Sequence, residues 1–153
     1  MKSHFTVNIF FVLLWILLLF GCEPSKYIDV SDQKEFEKII GAEYITLDDL
    51  KVIGVTFDAN YKKVVDYVYL VEKPGFSGPE VVFSEILGKG ARLKVDGVFA
   101  SDSILANRVY YKVTIVDTEE YQGDIVLIYY TGDIDNQDMG MNEVIFKRLN
   151  GTD

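Results

Sequence analysis

Along most of this chain, apolar residues recur with a period near two, the spacing that lines one face of a β-strand. The pattern predicts strands over 44–57 (broken near Asp48-Asp49), 64–72, 81–87, 91–100, 108–116, 124–131 and 143–149. The separators carry turn chemistry, as in Pro74-Gly75-Phe76-Ser77-Gly78-Pro79 and Gly88-Lys89-Gly90, where glycine supplies positive φ and proline fixes the bend. Val109, Tyr111, Val113 and Ile115 fall on one face of their strand, and Arg108, Tyr110, Lys112 and Thr114 on the other. The segment 125–130 is apolar at every position, which predicts a central strand or one facing a partner surface. Connections this short suit antiparallel order, since parallel neighbours need long crossovers.

Two stretches depart from the period of two. Asp32 stands three residues before Glu35, and Phe36, Ile39 and Ile40 recur at helical spacing before Gly41, which predicts one short helix over 32–40. The fold class expected is therefore mainly β or α+β, a small antiparallel barrel or sandwich of six to seven strands preceded by one short helix. The run Gly88 to Val98, followed by two long strands, faintly resembles the glycine-punctuated strand entry of OB-fold and related small barrels. The other departure is Ile9 to Phe20, an unbroken apolar run after a start whose one charge is Lys2. Twelve helical residues cover ~18 Å, short of the ~30 Å hydrocarbon core of a bilayer, so a signal peptide is expected.

The run ends at Leu19-Phe20-Gly21-Cys22, which resembles the lipobox of bacterial lipoproteins, with Phe20 larger than the residue usual at its position. The resemblance implies cleavage after Gly21, a diacylglyceryl thioether on Cys22 and acylation of the new amino terminus. Several acyl chains hold a protein stably where one holds it marginally. The division expected is a lipoprotein signal peptide at 1–21, a lipidated Cys and tether at 22–31, and a single β-rich domain at 32–153. Within such families, Asp directly after the lipidated Cys favours inner-membrane retention; Glu23 stands there, and the expected location is the outer membrane, facing the periplasm.

Removing the signal changes the chemistry available. The 153-residue chain has 15 Lys+Arg and 24 Asp+Glu. Lys2 is the one charge lost with residues 1–21, so the mature part keeps 14 basic residues and a net charge of −10. That sign excludes a nucleic-acid binder, whose affinity comes from clustered Lys and Arg displacing counterions. His4 and Cys22 are the only histidine and cysteine. The mature domain consequently has no Ser-His-Asp triad, no Cys nucleophile, no zinc held by His or Cys and no internal disulfide. With no phosphate-cradling Gly-rich motif before a helix, no cofactor is expected.

The remaining candidates are carboxylates and aromatics. Asp133, Asp135 and Asp138, with Asn136, Asn142 and Glu143, form an acidic loop of the kind calcium prefers. Set in the EF-hand register from Asp133, it has Asp138 where Gly is required and Val144 where Glu is required, which leaves a looser calcium loop or a solvated hairpin. The pairs Asp48-Asp49 and Glu119-Glu120 are adjacent, and adjacent strand residues point to opposite faces; neither pair is preorganised as a glycosidase acid and base. All ten tyrosines lie in the mature part. Tyr110 and Tyr130, with Arg108 and Lys112, suggest a recognition face, since tyrosine offers large contact area with a polar tip; the alternative is a second packed layer or a barrel interior lined by Tyr. Phe76, between two glycines and two prolines, is either a presented anchor or a cap folded back on the core.

The expectation from these residues is a non-enzymatic binding lipoprotein that recognises a macromolecular partner, in the manner of an inhibitor, an immunity protein or an assembly factor. Its acidity favours a basic envelope protein through electrostatic steering, and the membrane is met through the lipid on Cys22. Two alternatives stand beside it: a carrier of a small ligand or glycan with a Tyr- and Phe-lined site, and an envelope hydrolase working with carboxylates alone.

Overall fold

The computed structural model describes residues 27–101, 108–129 and 141–149. Residues 1–26, with Cys22, the lipidation site expected from the sequence, lie outside them, as do Tyr130 and the acidic calcium-loop candidate with Asp133, Asp135 and Asp138. Among the described residues no helix is long and apolar enough to cross a membrane.

The protein is mainly β. Nine strands, β1 (Tyr27–Asp29), β2 (Glu43–Thr46), β3 (Leu50–Val55), β4 (Tyr67–Glu72), β5 (Val81–Leu87), β6 (Arg92–Ser101), β7 (Val109–Ile115), β8 (Val126–Tyr129) and β9 (Phe146–Arg148), form one mixed sheet ordered β5-β3-β4-β8-β7-β6-β2-β9, with β1 added to β6. The sheet is open: β5 and β9 stand at its two ends. As the continuous apolar run predicts, β8 is central, between β4 and β7.

Three features differ from the sequence expectation. The helix over 32–40 is a 3-10 turn, Lys34–Phe36, starting at Gln33 with no side-chain cap. Asp32 and Glu35 build no capping box, and Gly41 gives its N–H to Val95 at 2.8 Å. Docking to β6 draws the segment out of helix while still burying Phe36 and Ile39. Tyr27–Asp29, expected within the tether over 22–31, instead pairs antiparallel with Phe99–Ser101 as β1. Finally, the order is not wholly antiparallel: β4 and β8 run parallel, with Val68 opposite Val126 and Leu70 opposite Ile128. Strands β5, β6 and β7 intervene in sequence and replace the helical crossover such a pair usually needs.

Alternation gives the sheet two apolar faces. Val52, Val68, Leu70, Leu93, Val95, Val113 and Tyr111 join Phe36, Ile39 and Phe146 in the larger core. Their neighbours Ile53, Val55, Tyr69, Tyr110 and Leu127 point the other way into a smaller one. A bulge at Asp96 keeps this segregation along the ten-residue β6: Val95 pairs with Val113 but Gly97 with Lys112, which returns Val98 to the larger core.

Candidate binding pocket

The smaller core is roofed by a crossing loop. Strands β4 and β5 both flank β3 and both run antiparallel to it, so the chain 73–80 must travel back along β3 to start β5. It does so over the second face. Gly75 has φ +75, and a Cβ there would stand 3.0 Å from Ile53 Cδ1, so glycine meets both the left-handed backbone and the close approach to the sheet. The loop starts with a turn in which Gly75 N–H donates to Glu72 O at 2.8 Å, and it is tied down at its far end where Thr56 N–H donates to Glu80 O at 2.9 Å.

Phe76, at the apex of this loop, turns its ring onto Tyr69 with centroids 6.1 Å apart and remains 42% exposed. Opposite it stands Phe57, fixed by its own backbone: Asp66 Oδ2 accepts from Phe57 N–H at 2.6 Å and from the Thr56 hydroxyl at 3.3 Å. The Phe57 ring lies 5.3 Å from that of Tyr67. Between the two phenylalanines opens an apolar pocket of about 350 Å³ lined by Val55, Phe57, Tyr69, Val71, Phe76, Glu80 and Tyr110. That volume lies at the lower end of the ~300–1,000 Å³ typical of small-molecule sites, and Glu80 is its one charged wall.

Behind the pocket, Tyr27 knits the aromatics together. Its ring meets both Tyr67 and Tyr110 edge-on at 4.9 Å, and its hydroxyl shares a hydrogen bond with that of Tyr69. Burial, then this hydrogen bond, raises the Tyr27 pKa well above the usual phenol range, and burial pushes Tyr69 up to about 12. Both phenols are neutral at physiological pH, so the pocket presents apolar and neutral groups apart from Glu80.

Of the residues singled out from sequence, Phe76 and Tyr110 come together here. Tyr110 is 7% exposed and supplies the inner wall of the pocket instead of standing on an open recognition face. Lys112 is half-buried on the same strand, and Arg108 is exposed at its start; neither lines the pocket. The arrangement also recruits Val55, Phe57, Tyr69, Val71 and Glu80. The period-two spacing of Tyr67 and Tyr69 on β4 is the signal in the sequence that could have found Tyr69; that Phe57 and Glu80 converge depends on the crossing loop.

Neither carboxylate pair lines the pocket. Asp49 accepts from the Lys73 ammonium at 3.1 Å and from Lys89 N–H at 2.9 Å, which holds its carboxyl below the usual range, the backbone bond being the larger cause. Asp48 instead accepts from Asp49 N–H at 2.7 Å. Glu119 and Glu120 are exposed in the loop after β7. Among the described residues, no group of three or more carboxylate, His or Cys side chains is placed to hold a metal ion. Comparison with known proteins adds no kinship to this geometry: no family model matches the chain, and no curated protein or solved structure matches it significantly.

Proposed function

We propose that this chain is a non-enzymatic binding lipoprotein of the bacterial cell envelope, anchored through Cys22, whose pocket between Phe57 and Phe76 is its recognition site. The observation that carries the reading is a pocket already formed, walled by Val55, Tyr69, Val71 and Tyr110, with a single carboxylate at Glu80. Such a site favours an apolar group by removing it from water, at about 25 cal/mol per Å² of apolar surface buried. It has no paired acid and base to act on what it binds.

This geometry favours the small-ligand reading over a broad recognition face for a protein. A flat face centred on Tyr110 would need that ring exposed, and it is buried. The pocket has the size for one compact apolar group.

A photo-crosslinking experiment tests the proposal. With a benzophenone side chain in place of Phe76, irradiation of bacteria making the full chain is expected to give an adduct bearing a small apolar compound. Val71→Arg, which fills the pocket from a half-buried position, is expected to abolish it. A protein-sized adduct would restore the macromolecular reading and point to a basic envelope partner. The same yield from a benzophenone at exposed Val116 would overturn the pocket as a site.

A further inference from the structure

We infer that the rim of the pocket is a membrane-contact surface, and that the apolar group the pocket takes is a lipid acyl chain from the bilayer that holds Cys22. This rests on the pocket and lipid-anchor readings above and adds what faces the pocket. Cys22 stands five residues before Tyr27. Even fully extended, those residues reach at most ~18 Å, whereas a folded domain of this size is roughly 35 Å across. The domain therefore cannot turn its far side to the membrane, and the side that carries Tyr27 is the membrane-proximal one.

That side is the pocket side. The Tyr27 ring touches Tyr67 and Tyr110; Phe57 packs on Tyr67 and Phe76 on Tyr69, so one further ring contact leads from Tyr27's partners to each rim phenylalanine. Phe57 and Phe76 stand exposed at the rim, and the β3–β4 loop that carries Phe57 also carries Tyr61, 52% exposed, and Val64, 60% exposed.

In water, side chains of this size on one surface are unfavourable, and such patches mark contact sites. At a bilayer surface they are stabilised, aromatic rings settling at headgroup depth. The charges agree with this placement. Lys62 and Lys63 are exposed between Tyr61 and Val64, where their stems can lie along apolar surface while the ammonium groups meet lipid phosphates. Of the two acids of this loop, Asp58 is bridged to Lys62 at 3.8 Å and Asp66 accepts from Phe57 N–H and the Thr56 hydroxyl. Glu80 remains as one polar wall of a pocket whose other walls suit hydrocarbon.

Tryptophan quenching by brominated lipid tests this on the mature lipidated protein, from Cys22 onward. Trp15 is the only native tryptophan and is lost with residues 1–21, so each variant of the lipidated protein carries one reporter. Tyr61→Trp and Phe76→Trp report the rim, while Val116→Trp and Val144→Trp report exposed apolar positions away from it. All four sites are exposed, so the substitutions leave the core untouched.

In vesicles of phosphatidylethanolamine and phosphatidylglycerol with brominated acyl chains, rim emission should fall at least about twofold relative to unbrominated vesicles, as expected for side chains ~5–10 Å into the headgroup–acyl boundary. The two reporters off the rim should change little. Quenching that is equal at all four positions, or absent at both rim positions, overturns the inference. The Phe76 photo-adduct separates the layers of the argument: a specific non-lipid adduct with unquenched rim reporters leaves the pocket standing and removes the membrane contact, and loss of both removes both.

Discussion

The two faces of this sheet are built from alternate residues of the same strands, yet they solve different problems. On β3, Val52 faces the larger core and Ile53 the smaller; on β7, Tyr111 and Tyr110 divide in the same way. The larger face is covered by the 3-10 turn and the β9 segment, and its side chains, Phe36, Leu93, Val95 and Tyr111 among them, are shut off from water. The smaller face is covered by rings and one crossing loop, and that cover leaves about 350 Å³ open. The difference teaches where stability and recognition are separated: one face commits its apolar surface to packing, and the other keeps part of it accessible.

Truncating one phenylalanine on each face gives the widest separation. Phe36→Ala should cost about 3–5 kcal/mol, the usual range for removing a buried aromatic and leaving a cavity. Phe76→Ala should cost less than about 1 kcal/mol, since its ring is 42% exposed and much of its surface stays in water in either state. Urea unfolding of both variants measures this. Equal losses would break the comparison, because they would make the pocket rim part of the core.

The second test concerns how tightly the larger face is filled. Gly54 lies under the ring of Phe83: a Cβ added there would stand 2.2 Å from Phe83 Cε1, closer than carbon atoms approach. Phe83 in turn stacks on Tyr121, whose hydroxyl donates to Glu85 Oε2 at 2.9 Å. Gly54→Ala therefore has to displace an aromatic stack as well as a ring, and should cost about 1–3 kcal/mol, the range for overpacking. The double variant Gly54→Ala with Phe83→Leu should recover part of that loss. If Gly54→Ala is neutral, the larger face is looser than its burial implies.

How much of this was legible in sequence depends on the range of the forces involved. The strands were readable because alternation is local: Val109, Tyr111, Val113 and Ile115 declare one buried face within seven residues. So was the central place of β8, apolar at Val126, Leu127 and Ile128 on both sides. The parallel pairing of β4 with β8 was not, because it joins residues such as Val68 and Val126 that no local pattern connects. Helical spacing at Phe36 and Ile39 is equally satisfied by a 3-10 turn, and the choice is made by Gly41 bonding to Val95 on β6. The pocket was half legible. Phe76 stood out from its flanking Gly and Pro residues, but its opposite wall, Phe57, is placed by a carboxylate nine residues on, Asp66.

The smallest expected effect probes the polar seam of the smaller face. Tyr27→Phe removes one hydroxyl and leaves that of Tyr69 without its bond to Tyr27, and should cost about 1 kcal/mol near neutral pH. Its distinctive readout is alkaline. Folded Tyr69 has its pKa pushed up to about 12, mainly by burial, and burial raises Tyr27 as well, while an unfolded tyrosine ionises near ~10. A raised folded pKa means stability that is whole below pH ~10 and is lost as pH climbs through the folded value. Urea unfolding at intervals from about pH 8 to 12 should therefore show the wild type weakening steeply above pH ~10, and Tyr27→Phe, with one fewer buried phenol to ionise, weakening less. Parallel curves would mean that burial does not raise the Tyr27 phenol in the folded protein, and that the polar seam adds no pH dependence to the second face.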